Sequence, residues 1–190
     1  MKYQEYQELF DTILSSDTQV SPYNDASYFN YTKLNKSRMK RWDQVGVLSE
    51  SLVERIKSIE LPQHWIIISE PWCGDAAHAL PFLVKMVESN PRITYDIELR
   101  DTEPYLIESY LTNGTKSIPK LIVRDKNGDD LFTWGPRPAD AQELVNKLKA
   151  SNASFEESIL ALQHWYNENK GFAISLEIER LLSKVSAKGF

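Results

Sequence analysis

A single cysteine, Cys73, stands in the 190 residues. No disulfide can therefore close within the chain, and a stapled secreted scaffold is excluded. Such scarcity suits a reducing compartment. Long apolar runs are missing too: no stretch approaches the roughly 20 residues that cross a bilayer as a helix. The start, Met1-Lys2-Tyr3-Gln4-Glu5, is polar and lacks the apolar core of a secretory signal. Nor is there an excess of positive charge. Lys and Arg number 22 against 27 Asp and Glu, a net charge of −5, which argues against nucleic acid or an anionic membrane as main partner. Internal repeats and low-complexity segments are also missing. The expectation from these absences is a soluble, cytoplasmic protein. Its hydrophobic fraction of 42% supports a proper core, and its length suits one domain with extensions.

What is present is organised around one stretch. Trp65 to Ile68 is a short apolar run of the kind that forms a fully buried strand. A Trp72-Cys73-Gly74 turn follows. Leu80, Leu83, Val84 and Val87 then stand at helical spacing, so Gly74 to Ser89 is predicted to be a helix. Cys73 thus lies where strand gives way to helix. There, free N–H groups and the positive end of the helix dipole favour an anion and tend to lower a thiol pKa.

These residues resemble the thioredoxin superfamily over about residues 61–150. The Trp72-Cys73-Gly74 turn is similar to its active-site loop, and Pro81 to the proline that kinks the following helix. Ser117-Ile118-Pro119 resembles the loop whose cis-proline faces the cysteine, and Gly135 the glycine closing the last strand. The departures carry equal weight. Ala76 replaces the second, resolving cysteine, Asp75 replaces a proline, and Ile67 occupies the place of a buried acid. A dithiol–disulfide cycle is therefore impossible within this chain. The run from Trp72 to His78, with the later segment 99–123, looks like a bacterial, single-cysteine subgroup carrying Trp-Cys-Gly-Asp-Ala, a likeness that sharpens fold and leaves activity open.

Along the chain, Tyr6, Leu9, Phe10 and Ile13 form a helical stripe in Tyr3 to Leu14. Ser15 to Asp25 is a break rich in turn formers, and the conformation of Tyr28, Phe29 and Tyr31 is left open. Asn35 or Ser37 is expected to cap one long helix to Ile59. Ile93 to Leu99 alternates as a strand. Asp101 or Thr102 is expected to cap a short helix burying Ile107, Tyr110 and Leu111, stopped by Asn113-Gly114. Lys120 to Arg124 and Leu131 to Trp134 form a hairpin around Asn127-Gly128, followed by a helix bearing Ala141, Leu144, Val145 and Leu148. The first two strands are expected to be parallel and the last two antiparallel. The whole is an α/β thioredoxin-like fold: a four-stranded mixed sheet flanked by helices, with residues 1–60 and 151–190 as helical extensions around a domain at 61–150. Two helices, Phe155 to Asn169 and Ala173 to Val185, are too apolar to float free and should dock on the core or another subunit.

Cys73 has two readings, a buried structural thiol or a reactive one. Carboxylates at Asp75 and Glu70 oppose a thiolate, yet Asp75 can equally be a first-turn acid that complements the helix dipole. His78 points about 140° from Cys73 by helical geometry and is a poor general base for it. Cys73, Asp75 and His78 lack metal-ligand spacing; neither a metal nor a cofactor is expected. Arg100, beyond a strand's carboxyl end, can hold a carboxylate or form a plain ion pair. Lys120 can offset the acids. Lys33, Lys36, Arg38, Lys40 and Arg41 form a basic cluster, read as a solvated face or as a patch for an acidic partner or anionic substrate. The resemblance implies a cis bond before Pro119 and an Ile118 backbone open to an extended substrate. Trp72, Gly74, Asp75, Ile118, Pro119 and Arg100 are the expected substrate-binding residues around a catalytic Cys73. Two functions follow. One is monothiol redox chemistry, Cys73 forming mixed disulfides with a protein or small-molecule thiol. The other is a redox-inactive thioredoxin-fold binding module.

Overall fold

The computed structural model describes residues 1–186. Four strands form one sheet: β1 (Gln63–Ser69), β2 (Ile93–Leu99), β3 (Lys120–Arg124) and β4 (Asp130–Trp134), in the order β2-β1-β3-β4. β1 runs parallel to β2 and antiparallel to β3, and β3 and β4 pair antiparallel. β1 is a central strand with both faces covered, which is why Trp65 to Ile68 is apolar without alternation. Its side chains still divide by the period of two. Trp65 and Ile67 enter the main core, while Ile66 and Ile68 join a smaller cluster with Cys73, Ala76, Ile118 and Ile122.

Helices flank the sheet. They are α1 (Tyr3–Ser15), α2 (Ala26–Val45), α3 (Glu50–Lys57), α4 (Gly74–Glu88), α5 (Ala139–Ala150), α6 (Phe155–Asn169) and α7 (Phe172–Ser186). α4 carries Pro81 within it and is buried along nearly its whole length. Tyr6 and Phe10 from α1, Met39 and Trp42 from α2, Tyr166 from α6, and Ile174, Ile178 and Leu182 from α7 all enter the core that α4 occupies. The terminal helices therefore dock on this chain's own core.

Two local expectations are corrected. The long helix to Ile59 is two helices. Asp25, not Asn35 or Ser37, caps α2 by accepting the Ser27 and Tyr28 N–H groups, so Tyr28, Phe29 and Tyr31 are helical. Gly46, a weak helix former, ends α2. The Ser49 hydroxyl then accepts the Leu52 N–H at 3.3 Å and starts α3, turning Leu52 and Ile56 into the core. The short helix after Asp101 is only a 3-10 turn, Leu106–Ser109. It buries Ile107 on the smaller cluster but leaves Leu111 exposed. Asn113 and Gly114 do adopt positive φ, 50° and 76°, in the tight turn closed by the Thr112–Thr115 bridge.

Candidate functional site

Residues 70–73 turn sharply between β1 and α4, with the Cys73 N–H donating to Glu70 O at 2.9 Å. Asn35 of α2 braces the turn from outside, its Nδ2 donating to Pro71 O at 2.9 Å. Cys73 is the N-cap of α4. Its Sγ accepts from the Ala76 N–H at 3.5 Å and donates to Ile118 O at 3.3 Å. The Ile118–Pro119 bond is cis, and Pro119 and Cys73 lie on facing loops as the resemblance implies. Only 8% of Cys73 is exposed. Burial, and then the Asp75 carboxylate, push the thiol up to about 12, against the pull of the Ala76 and Asp75 N–H groups and Arg137. Glu70 acts elsewhere: its buried carboxylate accepts the Asp101 N–H at 3.0 Å, and burial raises it to about 7.

Asp75 turns neither to solvent nor onto the thiol. Its Oδ2 accepts from Arg137 Nη2 at 2.5 Å and Nε at 3.1 Å, and its Oδ1 accepts from the Tyr166 hydroxyl at 2.7 Å. The first turn of α4 is thereby tied to the loop before α5 and to α6. His78 faces away from the thiol, as helical geometry requires. Its Nδ1 accepts from Trp42 Nε1 at 2.9 Å, its Nε2 meets Gln163 Oε1 at 3.1 Å, and its ring stacks on Tyr166 at 4.3 Å. Burial lowers its pKa to about 3, so it is neutral at physiological pH.

Arg100 makes a two-pronged pair with Asp101, at 2.8 and 2.6 Å, and its guanidinium lies 4.6 Å above the Trp72 ring. Lys120 offsets no acid near the thiol, because its Nζ donates to Thr112 Oγ1 at 2.7 Å. Gly135 adopts φ 111°, and a Cβ there would meet Pro119 O at 2.2 Å, so only glycine lets these backbones approach. The basic cluster is dispersed around α2. Lys36 pairs with Asp11, Arg41 lies over Trp42 and donates to Asn167, and Arg38 turns inward to Asn35.

Two hollows meet at Cys73. One, about 390 Å³, is bounded by Trp72, Cys73, Arg100, Lys116, Ile118 and Arg137. The other, about 430 Å³, lies between α2, the Cys73 turn and α6, with Tyr28, Tyr31, Arg38, Leu162 and Tyr166 in its wall. Cys73, Trp72, Asp75, Ile118 and Arg100 line the first hollow, and Gly74 stands in the wall of the second. Arg137 and Tyr166 were missed as site residues. For Arg137 a signal existed, since it directly follows the Gly135-Pro136 break beside the Pro119 loop. For Tyr166, within an amphipathic helix far along the chain, none did.

The structure is similar to that of PA1234 from Pseudomonas aeruginosa, described as a protein of unknown function. The identity is 17% and the TM-score 0.49, over 98% of this chain and 96% of that one. It is also similar to the NTD_N/C domain of alkylhydroperoxide reductase AhpF from Enterococcus faecalis, at 18% identity and TM-score 0.40, over 56% and 51%. No curated protein matches. Among the described residues no helix is long and apolar enough to cross a membrane. The family model for thioredoxin matches residues 21–150, more than half of the sequence and inclusive of the Cys73 turn and the Pro119 loop: the chain belongs to the thioredoxin family.

Proposed function

We propose that this is a thioredoxin-fold binding module of the single-cysteine Trp-Cys-Gly-Asp-Ala subgroup. Its Trp72-Cys73-Gly74 turn and Pro119 loop form a face for an extended peptide or a small thiol compound. The observation that carries the reading is the state of Cys73: buried, donating to Ile118 O, and pushed up to about 12 by burial and Asp75. At pH 8 a thiol of that pKa is about one part in ten thousand thiolate, some three powers of ten below a free thiol with pKa of about 8.5. A hydrogen-bond donor suits such a group better than a nucleophile. The Ile118 N–H has no acceptor among the described residues, which leaves it for a peptide pairing edge-on.

Monothiol exchange is the second reading, favoured by the place of Cys73 in the walls of both hollows. In that chemistry the Cys73 thiolate attacks a disulfide RSSR, forms Cys73–S–SR and releases RS⁻. A second thiolate then attacks the mixed disulfide, frees Cys73 and leaves as the new disulfide. Ala76 makes that external thiol obligatory.

Iodoacetamide alkylation of the native protein from pH 7 to 11 separates the two. A binding module predicts a rate at pH 8 roughly a thousandfold below that of free glutathione. It further predicts that S-methylglutathione, which has no thiol, shifts the amide resonances of Trp72 and Ile118. Alkylation as fast as free glutathione, with a one-to-one adduct from glutathione disulfide, transfers the protein to the exchange class. Slow alkylation with no shift from S-methylglutathione refutes the thiol-compound face.

A further inference from the structure

The larger hollow holds a charge without a counter-ion. Three ionised side chains line it: Arg38, Asp75 and Arg137. Asp75 and Arg137 neutralise each other at 2.5 Å. Arg38 does not share in that pair. Its Nη1 donates to the neutral Asn35 Oδ1 at 2.8 Å, and among the described residues it meets no carboxylate. It is also partly desolvated, which lowers its pKa. A cation taken out of water without a partner is costly. Its Nη1 lies about 3.5 Å from where a Cβ on Gly74 would stand, so the guanidinium sits against the start of α4 and adds to the positive end of that helix dipole. Trp72 stands in the same wall, though its buried indole N–H, which has no hydrogen-bond partner among the described residues, does not open onto the hollow.

The remaining wall is mainly aromatic and aliphatic, with Tyr28, Phe155 and Leu162 around it and Phe155 69% exposed. About 430 Å³ lies within the range of small-molecule sites. His78, neutral at physiological pH, adds no charge. The hollow therefore has a net charge of one positive unit and an apolar body.

We infer that the hollow between α2, the Cys73 turn and α6 is a binding site for a small monocarboxylic acid with an apolar chain or ring, its carboxylate on the Arg38 guanidinium. A monoanion balances the site, whereas a neutral ligand leaves the cation unpaired. The planar fork of arginine fits the two oxygens of a carboxylate. This site adjoins the Pro119 face, sharing Trp72, Cys73, Asp75 and Arg137 with it, but Arg38 lines only this hollow.

The test is calorimetric titration of the full chain at pH 7.5 with 4-phenylbutyrate and octanoate, and with the primary amide of each. The acids should bind at least about tenfold tighter than their amides, the worth of a charge-assisted hydrogen bond. Arg38→Gln should abolish that preference and Arg38→Lys keep part of it. Lys36→Gln, whose native partner is Asp11, should leave it intact. Acids and amides of equal affinity, no binding of either acid, or an unchanged preference in Arg38→Gln each overturn the assignment. The acid–amide comparison within the wild-type protein decides the matter even where a variant folds poorly.

Discussion

Removing one charge at the start of α4 should make the protein less stable and its thiol more reactive at once. Asp75→Asn keeps the shape of the side chain and an acceptor for the Tyr166 hydroxyl but deletes the carboxylate. Arg137 is then left with Gln142 Oε1 at 3.4 Å as its remaining side-chain acceptor. Breaking a buried pair by removing one partner costs about 3–5 kcal/mol. The Arg137 side chain is 20% exposed and can recover some hydration, so the lower end, about 3 kcal/mol, is expected. At about 2–4 °C per kcal/mol for a chain of this size, Tm should fall by roughly 6–12 °C. The same substitution removes the foremost charge that disfavours the thiolate and leaves the pull of Arg137 unopposed. The pH midpoint of Cys73 alkylation should move down from about 12. Arg137→Gln should also lower Tm but move the midpoint up. The double variant should be less destabilised than the sum of the two. An Asp75→Asn protein with unchanged Tm and unchanged alkylation midpoint would refute the account of both the pair and the thiol.

Two further outcomes are expected. Glu70 keeps its proton in the folded state up to about pH 7 but loses it near 4.5 when unfolded. Its raised pKa makes the folded state bind more protons, so the contribution of Glu70 to stability is most favourable below pH 4.5 and falls as pH rises from 4.5 to 7. Glu70→Gln, which retains an acceptor for the Asp101 N–H, should therefore add about 3 kcal/mol at pH 8 and almost nothing at pH 4.5; equal gains at both pH values in chemical denaturation would contradict this. Truncation after Ala153 removes Tyr166, Ile174, Ile178 and Leu182 from the core. At about 2–5 kcal/mol for each large side chain lost, the loss is comparable to a typical total stability of about 5–15 kcal/mol, and the truncated chain should be largely unfolded or aggregated. A monomeric truncation with the parent Tm, by size exclusion and circular dichroism, would show that the terminal helices add little.

The sheet and the Cys73 turn were legible because their signals are local. A buried strand announces itself as an unbroken apolar run, and Asn127-Gly128 fixes a hairpin with two residues. Helix limits were harder where periodicity continued across a break. Val45, Leu48 and Leu52 keep a helical spacing through Gly46, yet the extended backbone at Gly46 and the reach of the Ser49 hydroxyl to Leu52 N–H divide the segment. Charge partners were the least legible. Asp75 lies beside Cys73 in sequence, yet its partners come from residues 137 and 166. Arg100 stands at a strand end, where a ligand-binding cation is expected, but adjacent Asp101 pairs with it. Arg38 was one of five basic residues until the fold turned it inward and left it without a carboxylate.

The Tyr166–Asp75 bond spans 91 residues, and this has a consequence for the order in which the protein is built. A chain emerging from the ribosome completes β1, the Cys73 turn and α4 well before α6 exists, and folding tends to proceed from the amino-terminal side. Through that interval Asp75 lacks its hydroxyl donor, His78 lacks the ring stacked upon it, and the wall supplied by Leu162 and Tyr166 is absent. The arrival of α6 supplies the Asp75 acceptor with its donor and His78 with its stacked ring, so the first turns of α4 take their final partners only after residue 166 has been made.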